Sequence, residues 1–204
     1  EAESVCGSAE SAGWVAVSHE LDSELGFSQA EIAACLARQG LLSLELEFTR
    51  ACNLRCTYCY SSAGEALKHE LSLDELRTVV EQARDLGARR IVLLGGGEPL
   101  LFPFVREIIE HIDALGLSQA VFTNAICLDE ALCRFLFEHR VTVAVKQNSF
   151  VPAVQDALAG VRGAYAGIQR GLRRLMEAGY PDEDHRLCVQ SVICRPNRGE
   201  VAAM

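Results

Sequence analysis

From residue 42 onward the chain repeats one pattern five times: a short apolar or alternating run, then a longer segment with helical spacing. "LLSLELEFTRAC" alternates with a period of two. Leu42, Leu44, Leu46 and Phe48 fall on one side and Ser43, Glu45, Glu47 and Thr49 on the other, which is a strand with one polar face. "SLDELRTVVEQARDLG" opens with Ser72 and Glu75 in capping-box spacing and predicts a helix ending at Gly87. "RRIVLLGGGEP" reads as a short buried strand that breaks into glycines. "FPFVREIIEHIDALG" follows as a helix with Val105, Ile108, Ile109 and Ile112 on one stripe, stopped by Gly116. "SQAVFTNA" and "VTVAVKQNS" are the third and fourth strands, with the helix "DEALCRFLFEH" between them. "GAYAGIQRGLRRLMEAGYP" is expected to turn Tyr165, Ile168, Leu172, Leu175 and Met176 inward. "RLCVQSVICRPN" is the fifth strand, and "GEVAAM" reads as the first turn of another helix. Strict alternation of this kind leaves one class of fold, an α/β parallel sheet or barrel whose outer face is covered by helices.

Ahead of these units, "SQAEIAACLARQG" carries Ser28 and Glu31 in capping-box spacing and stops at Gly40, so residues 1–40 are expected to form a tail and one helix. The 204 residues suffice for one domain with a sizeable core, and a composition 50% apolar and 23% charged is that of an ordinary soluble protein. No apolar run approaches the ~20 residues of a membrane span, and the acidic start lacks the features of a secretory signal. A net charge of −9 with arginines only in short pairs argues against nonspecific nucleic-acid binding. Nine cysteines without secretion signals fit reduced thiols in a cytoplasm better than a disulfide framework. Cys35, Cys127, Cys133, Cys188 and Cys194 are expected as inert core thiols, and Cys6 has no assigned role.

In parallel sheets and barrels, ligands collect at the carboxyl ends of the strands. Every unusual stretch here sits at such an end: "CNLRCTYCY", "GGGEP", "TNA", "KQNS" and "CRPN". Because the helices demand apolar partners, the polar strand faces should line the interior. That places Glu45 and Glu47 inside on the first strand, Lys146 and Asn148 on the fourth and Gln190 on the fifth. A wet, mutually paired lumen without a direct role explains the two glutamates at least as well as a functional one.

Cys52, Cys56 and Cys59 are spaced C-x-x-x-C-x-x-C in the loop after the first strand. Three thiolates can hold three corners of a [4Fe–4S] cluster, which otherwise takes four cysteines, and an unfilled metal coordination position is the mark of catalysis. Two other readings stay open. A structural zinc site needs a fourth ligand, for which His69 is the nearest histidine, and would make the chain a zinc-stabilised binding module. A non-catalytic iron–sulfur electron-transfer protein would use the cluster but has no need of the glycine turn.

The loop "CNLRCTYCY" resembles the cluster loop of the radical S-adenosylmethionine (radical SAM) superfamily, closest in look to its SPASM and molybdenum-cofactor-cyclase groups. Tyr58 occupies the aromatic position of C-x-x-x-C-x-aromatic-C, and Gly96, Gly97 and Glu98 match the G-G-E turn after the second strand. The resemblance implies a partial (βα)6 TIM-like barrel, here stopping after about five units, with residues 41–204 as a core incomplete at its C-terminus. It implies Cys52, Cys56 and Cys59 as ligands of a [4Fe–4S] cluster that binds S-adenosylmethionine. Tyr58 would lie near the adenine, Gly96, Gly97 and Glu98 at the ammonium, and Thr123 and Asn124 at the ribose. Lys146 and Asn148 would meet ribose or carboxylate. The implied reaction is reductive cleavage to a 5′-deoxyadenosyl radical that abstracts hydrogen from a small-molecule or peptide substrate. The electron would come from an external flavodoxin- or ferredoxin-like reductant, with neither nucleic acid nor membrane as partner.

Overall fold

The computed structural model describes residues 26–203, and Cys6 lies outside them. These residues fall into two units divided after Gln39. The first contains helix α1 (Gln29–Ala37), whose N-terminus closes as a capping box: the Ser28 hydroxyl accepts from the Glu31 N–H, and the Glu31 carboxylate accepts from the Ser28 N–H at 2.8 Å.

The second unit alternates as its sequence demands. Strands β1 (Ser43–Leu46), β2 (Arg90–Leu93), β3 (Ser118–Thr123), β4 (Thr142–Lys146) and β5 (Leu187–Gln190) form one parallel sheet in that order. Helices α2 (Leu73–Asp85), α3 (Val105–Ala114), α4 (Glu130–Glu138), α5 (Pro152–Ala159) and α6 (Ala164–Glu177) connect the strands. The result is an α/β sheet that, among the described residues, does not close on itself. No helix among the described residues is long and apolar enough to cross a membrane.

The outer face of the sheet supplies Ile91, Leu93, Val121, Val143 and Val145 to a core that also takes Leu76 and Val80 from α2, Ile108, Ile109 and Ile112 from α3, and Leu136 from α4; each is fully buried. Burial of a side chain of this size stabilises by about 1.5–3 kcal/mol, so this layer is what holds the strand ends in place.

Four elements differ from expectation. Helix α5 was not read from the sequence. It begins with Pro152 in its first turn, where a missing N–H costs nothing, and ends at Gly160 in the left-handed region (φ 68°). On α6 the inward face is Ala164, Gly167, Ile168, Gly171 and Leu175, while Met176 is 55% exposed. Small residues let that helix approach closely, which a long methionine would prevent, and Met176 sits a quarter-turn away. Strand β5 has only four residues, with Cys188 exposed on it instead of in the core. The chain after it makes a 3₁₀ turn (Arg198–Ala203) in place of the first turn of an α-helix.

Candidate functional site

The loop carrying Cys52, Cys56 and Cys59 is held from two sides by backbone hydrogen bonds. On one side the turn after β2 donates to the chain leaving β1, from the Gly97 N–H to Thr49 O at 2.7 Å and from the Glu98 N–H to Ala51 O at 2.8 Å. A Cβ on Gly97 would collide with the Ala51 carbonyl, so only glycine allows the two segments this close. On the other side, Arg55 and Thr57 donate their N–H groups to the carbonyls of Ala159 and Leu158, both at 2.9 Å. These are carbonyls that the end of α5 leaves without helical partners. Gly160 fits beneath Arg55, where any Cβ would strike the Arg55 carbonyl.

The three cysteines face one cavity at the carboxyl ends of the strands. Tyr58 lines it from the same loop, Gly96, Gly97 and Glu98 from the turn after β2, Thr123 and Asn124 from the end of β3, and Lys146 from the end of β4. Asn148 does not line it. Its side chain is fully buried behind Tyr58, with the amide nitrogen bonded to the Tyr58 hydroxyl and the oxygen accepting from the Val192 N–H at 2.7 Å.

The polar groups around the cavity are largely committed to one another. The Glu98 carboxylate, 2% exposed, accepts from the Thr123 hydroxyl and the Asn124 N–H, both at 2.7 Å, and from the Leu100 N–H at 3.2 Å. Burial still outweighs these donors and pushes its carboxyl up to about 7. The Asn124 amide donates to the Asn53 side-chain oxygen at 2.7 Å and accepts from the Ile126 N–H at 3.0 Å. The Gly96 carbonyl accepts from the Ser61 hydroxyl. Lys146 donates to Gln190 across the inner face, and burial lowers its pKa. Glu45 on β1 and Glu47, one residue past its end, are both exposed, as the alternation requires, and Tyr60 donates to Glu47.

The three thiols differ electrostatically. Burial raises the pKa of Cys52 and Cys56. At Cys59 burial acts in the same direction but is outweighed by its hydrogen-bond contacts with the Ser61 hydroxyl, 3.2 Å away and itself donating to Gly96, and with the Ala63 N–H, 3.4 Å away, so that thiol is lowered.

Among the described residues no three His, Cys, Asp or Glu side chains converge as they would around a single metal ion. His69 lines a different cavity, with Glu47, Thr49, Arg50 and Glu70. A mononuclear zinc site needs its ligands within ~2.3 Å of one point, whereas a cubane binds each thiolate at a different iron. Three thiols lining one cavity without meeting at a single point fit the second arrangement. The buried carbonyl of Gly96 and the half-buried face of Tyr58 on the same cavity fit an organic ligand beside it.

Asn53, Ser61 and Gln155 join this site without having been picked out from the sequence. Asn53 and Ser61 lie inside or directly beside the cysteine motif, so proximity was the available signal. Gln155 sits on α5, which the sequence pattern does not announce. Of the other cysteines, Cys127 stands beside the loop and accepts from the Asn53 amide at 3.4 Å, Cys35 and Cys133 are buried, and Cys194 is half-buried.

Comparison with known proteins matches residues 46–197 to the radical SAM superfamily model. Mycofactocin maturase MftC of Mycobacterium ulcerans is 29% identical over 78% of this chain and 42% of its own length. A PqqA peptide cyclase of Xanthomonas axonopodis is 30% identical over 80% of this chain and 43% of its own. This chain therefore spans about two fifths of the length of these relatives. Among solved structures, Streptococcus suis SuiB bound to S-adenosylmethionine superposes with a TM-score of 0.68 at 17% identity, over 84% of this chain and 40% of that one. SuiB bound to its precursor peptide SuiA gives 0.67, also at 17% identity, over 84% and 39%. At that identity the likeness is one of fold.

Proposed function

The chain belongs to the radical SAM superfamily, and from that premise we propose that it is an enzyme core that binds a [4Fe–4S] cluster through Cys52, Cys56 and Cys59 and S-adenosylmethionine beside it. The observation that carries the reading is the convergence of three thiols and the Gly96–Glu98 turn on one cavity at the strand ends. When bound, the two groups together supply a 5′-deoxyadenosyl radical able to abstract hydrogen from a substrate.

The protein's own residues do the holding. Gly96 offers its carbonyl to an ammonium, Gly97 admits the close approach to Ala51 that holds the turn in place, and Tyr58 offers an aromatic face to an adenine. Thr123 and Asn124 border the ribose region, and Lys146 offers a cation to a carboxylate. Glu98 acts through the groups it fixes, because its oxygens are already engaged by Thr123, Asn124 and Leu100. Asn148 acts through Tyr58.

A peptide is the substrate class we favour. The relative PqqA peptide cyclase and the SuiB complex with a precursor peptide support it. The exposed Glu45 on β1, with the exposed Glu47 just past its end and Tyr60 of the cysteine loop, leaves room for one. Residues 41–204 would form the catalytic core, working in the cytoplasm with a flavodoxin- or ferredoxin-like reductant and without nucleic acid.

Anaerobic reconstitution tests the reading. Iron and sulfide should be taken up, and 5′-deoxyadenosine should appear on adding dithionite and S-adenosylmethionine. Replacing Cys52, Cys56 and Cys59 together by alanine should abolish both. Zinc without iron in the native protein, or 5′-deoxyadenosine from the triple variant, would refute it.

A further inference from the structure

The Ser61 hydroxyl stands between two acceptors that belong to the two halves of the proposed site. It donates to the Gly96 carbonyl and lies 3.2 Å from the Cys59 sulfur, and all three residues line the cavity. The Ser61 backbone is fixed: the Arg50 guanidinium donates to its carbonyl and, at 2.9 Å, to that of Ser62. The freedom left to the residue is rotation of its hydroxyl.

A serine hydroxyl has one proton to give. While Cys59 is a thiol, its S–H can donate to Ser61 and Ser61 can donate to Gly96, and all three groups are satisfied. A metal-bound cysteine is a thiolate and has no proton. The Cys59 sulfur and the Gly96 carbonyl then compete for the single hydroxyl proton; the Ala63 N–H already donates to the sulfur, so the hydroxyl stays on the carbonyl until a stronger, charged donor takes its place there.

We infer that Ser61 is a positioning residue that couples cofactor binding at the Gly96 carbonyl to the electron affinity of the cluster corner held by Cys59. The inference rests on the function proposed above, in which a ligand ammonium donates to that carbonyl. Once it does, the hydroxyl turns to the Cys59 sulfur. A hydrogen bond to a cluster sulfur favours the more negative, reduced state and raises the potential. By linkage, reduction tightens cofactor binding by the same factor.

The test is a redox titration followed by electron paramagnetic resonance on reconstituted wild type, Ser61→Ala and Ser61→Thr, each with and without S-adenosylmethionine. Wild type and Ser61→Thr should show the same cofactor-induced shift. In Ser61→Ala the shift should be less positive by about tenfold in the equilibrium constant, the scale of one charge-assisted hydrogen bond, or about 59 mV for a one-electron couple. Without cofactor the three proteins should agree. An identical shift in Ser61→Ala overturns the inference. So does a difference of equal size with and without cofactor, which would mark a permanent hydrogen bond. If Ser61→Ala takes up no cluster, Ser61→Gly replaces it. Failure of both while Ser61→Thr assembles would make the hydroxyl a structural requirement and overturn the coupling. Absence of iron and sulfide from wild type would instead sink the proposed function, so the two failures are distinguishable.

Discussion

The Asn124 side-chain amide donates to the side-chain oxygen of Asn53 at 2.7 Å, tying the end of β3 to the residue that follows the first cysteine. Asn124 is held in that orientation because its own oxygen accepts from Ile126 and its backbone N–H donates to Glu98. Asn53→Ala leaves a donor of Asn124, itself 7% exposed, without a partner, at a cost of about 1–3 kcal/mol. Asn53→Asp keeps the acceptor and should recover most of that loss. Urea denaturation of the two variants checks the pair. Equal losses would mean that the contact carries no energy and the loop is fixed by its backbone bonds alone.

The parts of this fold that repeat were legible, and the parts that depend on approach were not. Period-two alternation set the strand faces, and the capping boxes at Ser28 and Ser72 set two helix starts, because these signals are local. Gathering Cys52, Gly96, Thr123 and Lys146 on one cavity followed from topology, since parallel strands end on one rim. The strand pattern points Asn148 at a ligand, but a short polar side chain at a strand end can equally turn back to satisfy its neighbours, as it does on Tyr58 and Val192. The apolar stripe points Met176 inward, whereas the packing selects small residues on that face. Cys188 follows from the same limit: burial of a residue on β5 depends on what covers that strand.

Gly97 and Gly160 brace the cysteine loop from opposite sides, and each is crowded by a carbonyl that a methyl group would strike. Gly97→Ala and Gly160→Ala should each cost roughly 2–4 kcal/mol and reduce iron uptake on reconstitution, because the loop must move to admit them. Gly116→Ala is the comparison. Its φ of 70° is left-handed, as at Gly160, but nothing lies within 4 Å of the added atom. It should cost only about 1–2 kcal/mol of backbone strain and leave iron uptake intact. Equal iron loss in all three would trace the effect to general instability and remove the case for a braced loop.

Glu98 should make stability fall with rising pH across a defined window. Burial raises its carboxyl from an ordinary 4.5 to about 7. Between those values the folded chain holds a proton that the unfolded chain has released. The contribution is therefore fully present below 4.5, is lost as pH rises through about 7, and is flat above. The span corresponds to roughly 3 kcal/mol as an upper scale. Urea midpoints of the chain without added iron, taken from about pH 5 to about pH 8, should fall in wild type more steeply than in Glu98→Gln, whose amide does not titrate there. Parallel slopes would show a carboxylate already ionised at the lower pH, stabilised by Thr123 and Asn124 beyond the cost of its burial.

Gln155 closes the rim between β4 and the cysteine loop. Its side-chain oxygen accepts from the backbone N–H groups of Asn148 at 2.8 Å and Ser149 at 3.0 Å, and all three residues are essentially without exposure. Asn148 in turn holds the Tyr58 hydroxyl and accepts at its carbonyl from Asn197 at 2.6 Å, so one glutamine orders the strand end on which the aromatic of the cysteine motif leans. Gln155→Met keeps the volume and removes the acceptor, stranding two buried donors at a cost of about 2–4 kcal/mol. Gln155→Glu keeps an oxygen facing both donors, with its charge in the N-terminal half of α5, where the helix dipole favours it, and should retain most of the stability. S-adenosylmethionine binding to the reconstituted variants, measured by equilibrium dialysis, should weaken in Gln155→Met and much less in Gln155→Glu. If the glutamate variant lost as much stability and binding as the methionine one, the two backbone donors would not be what positions Tyr58.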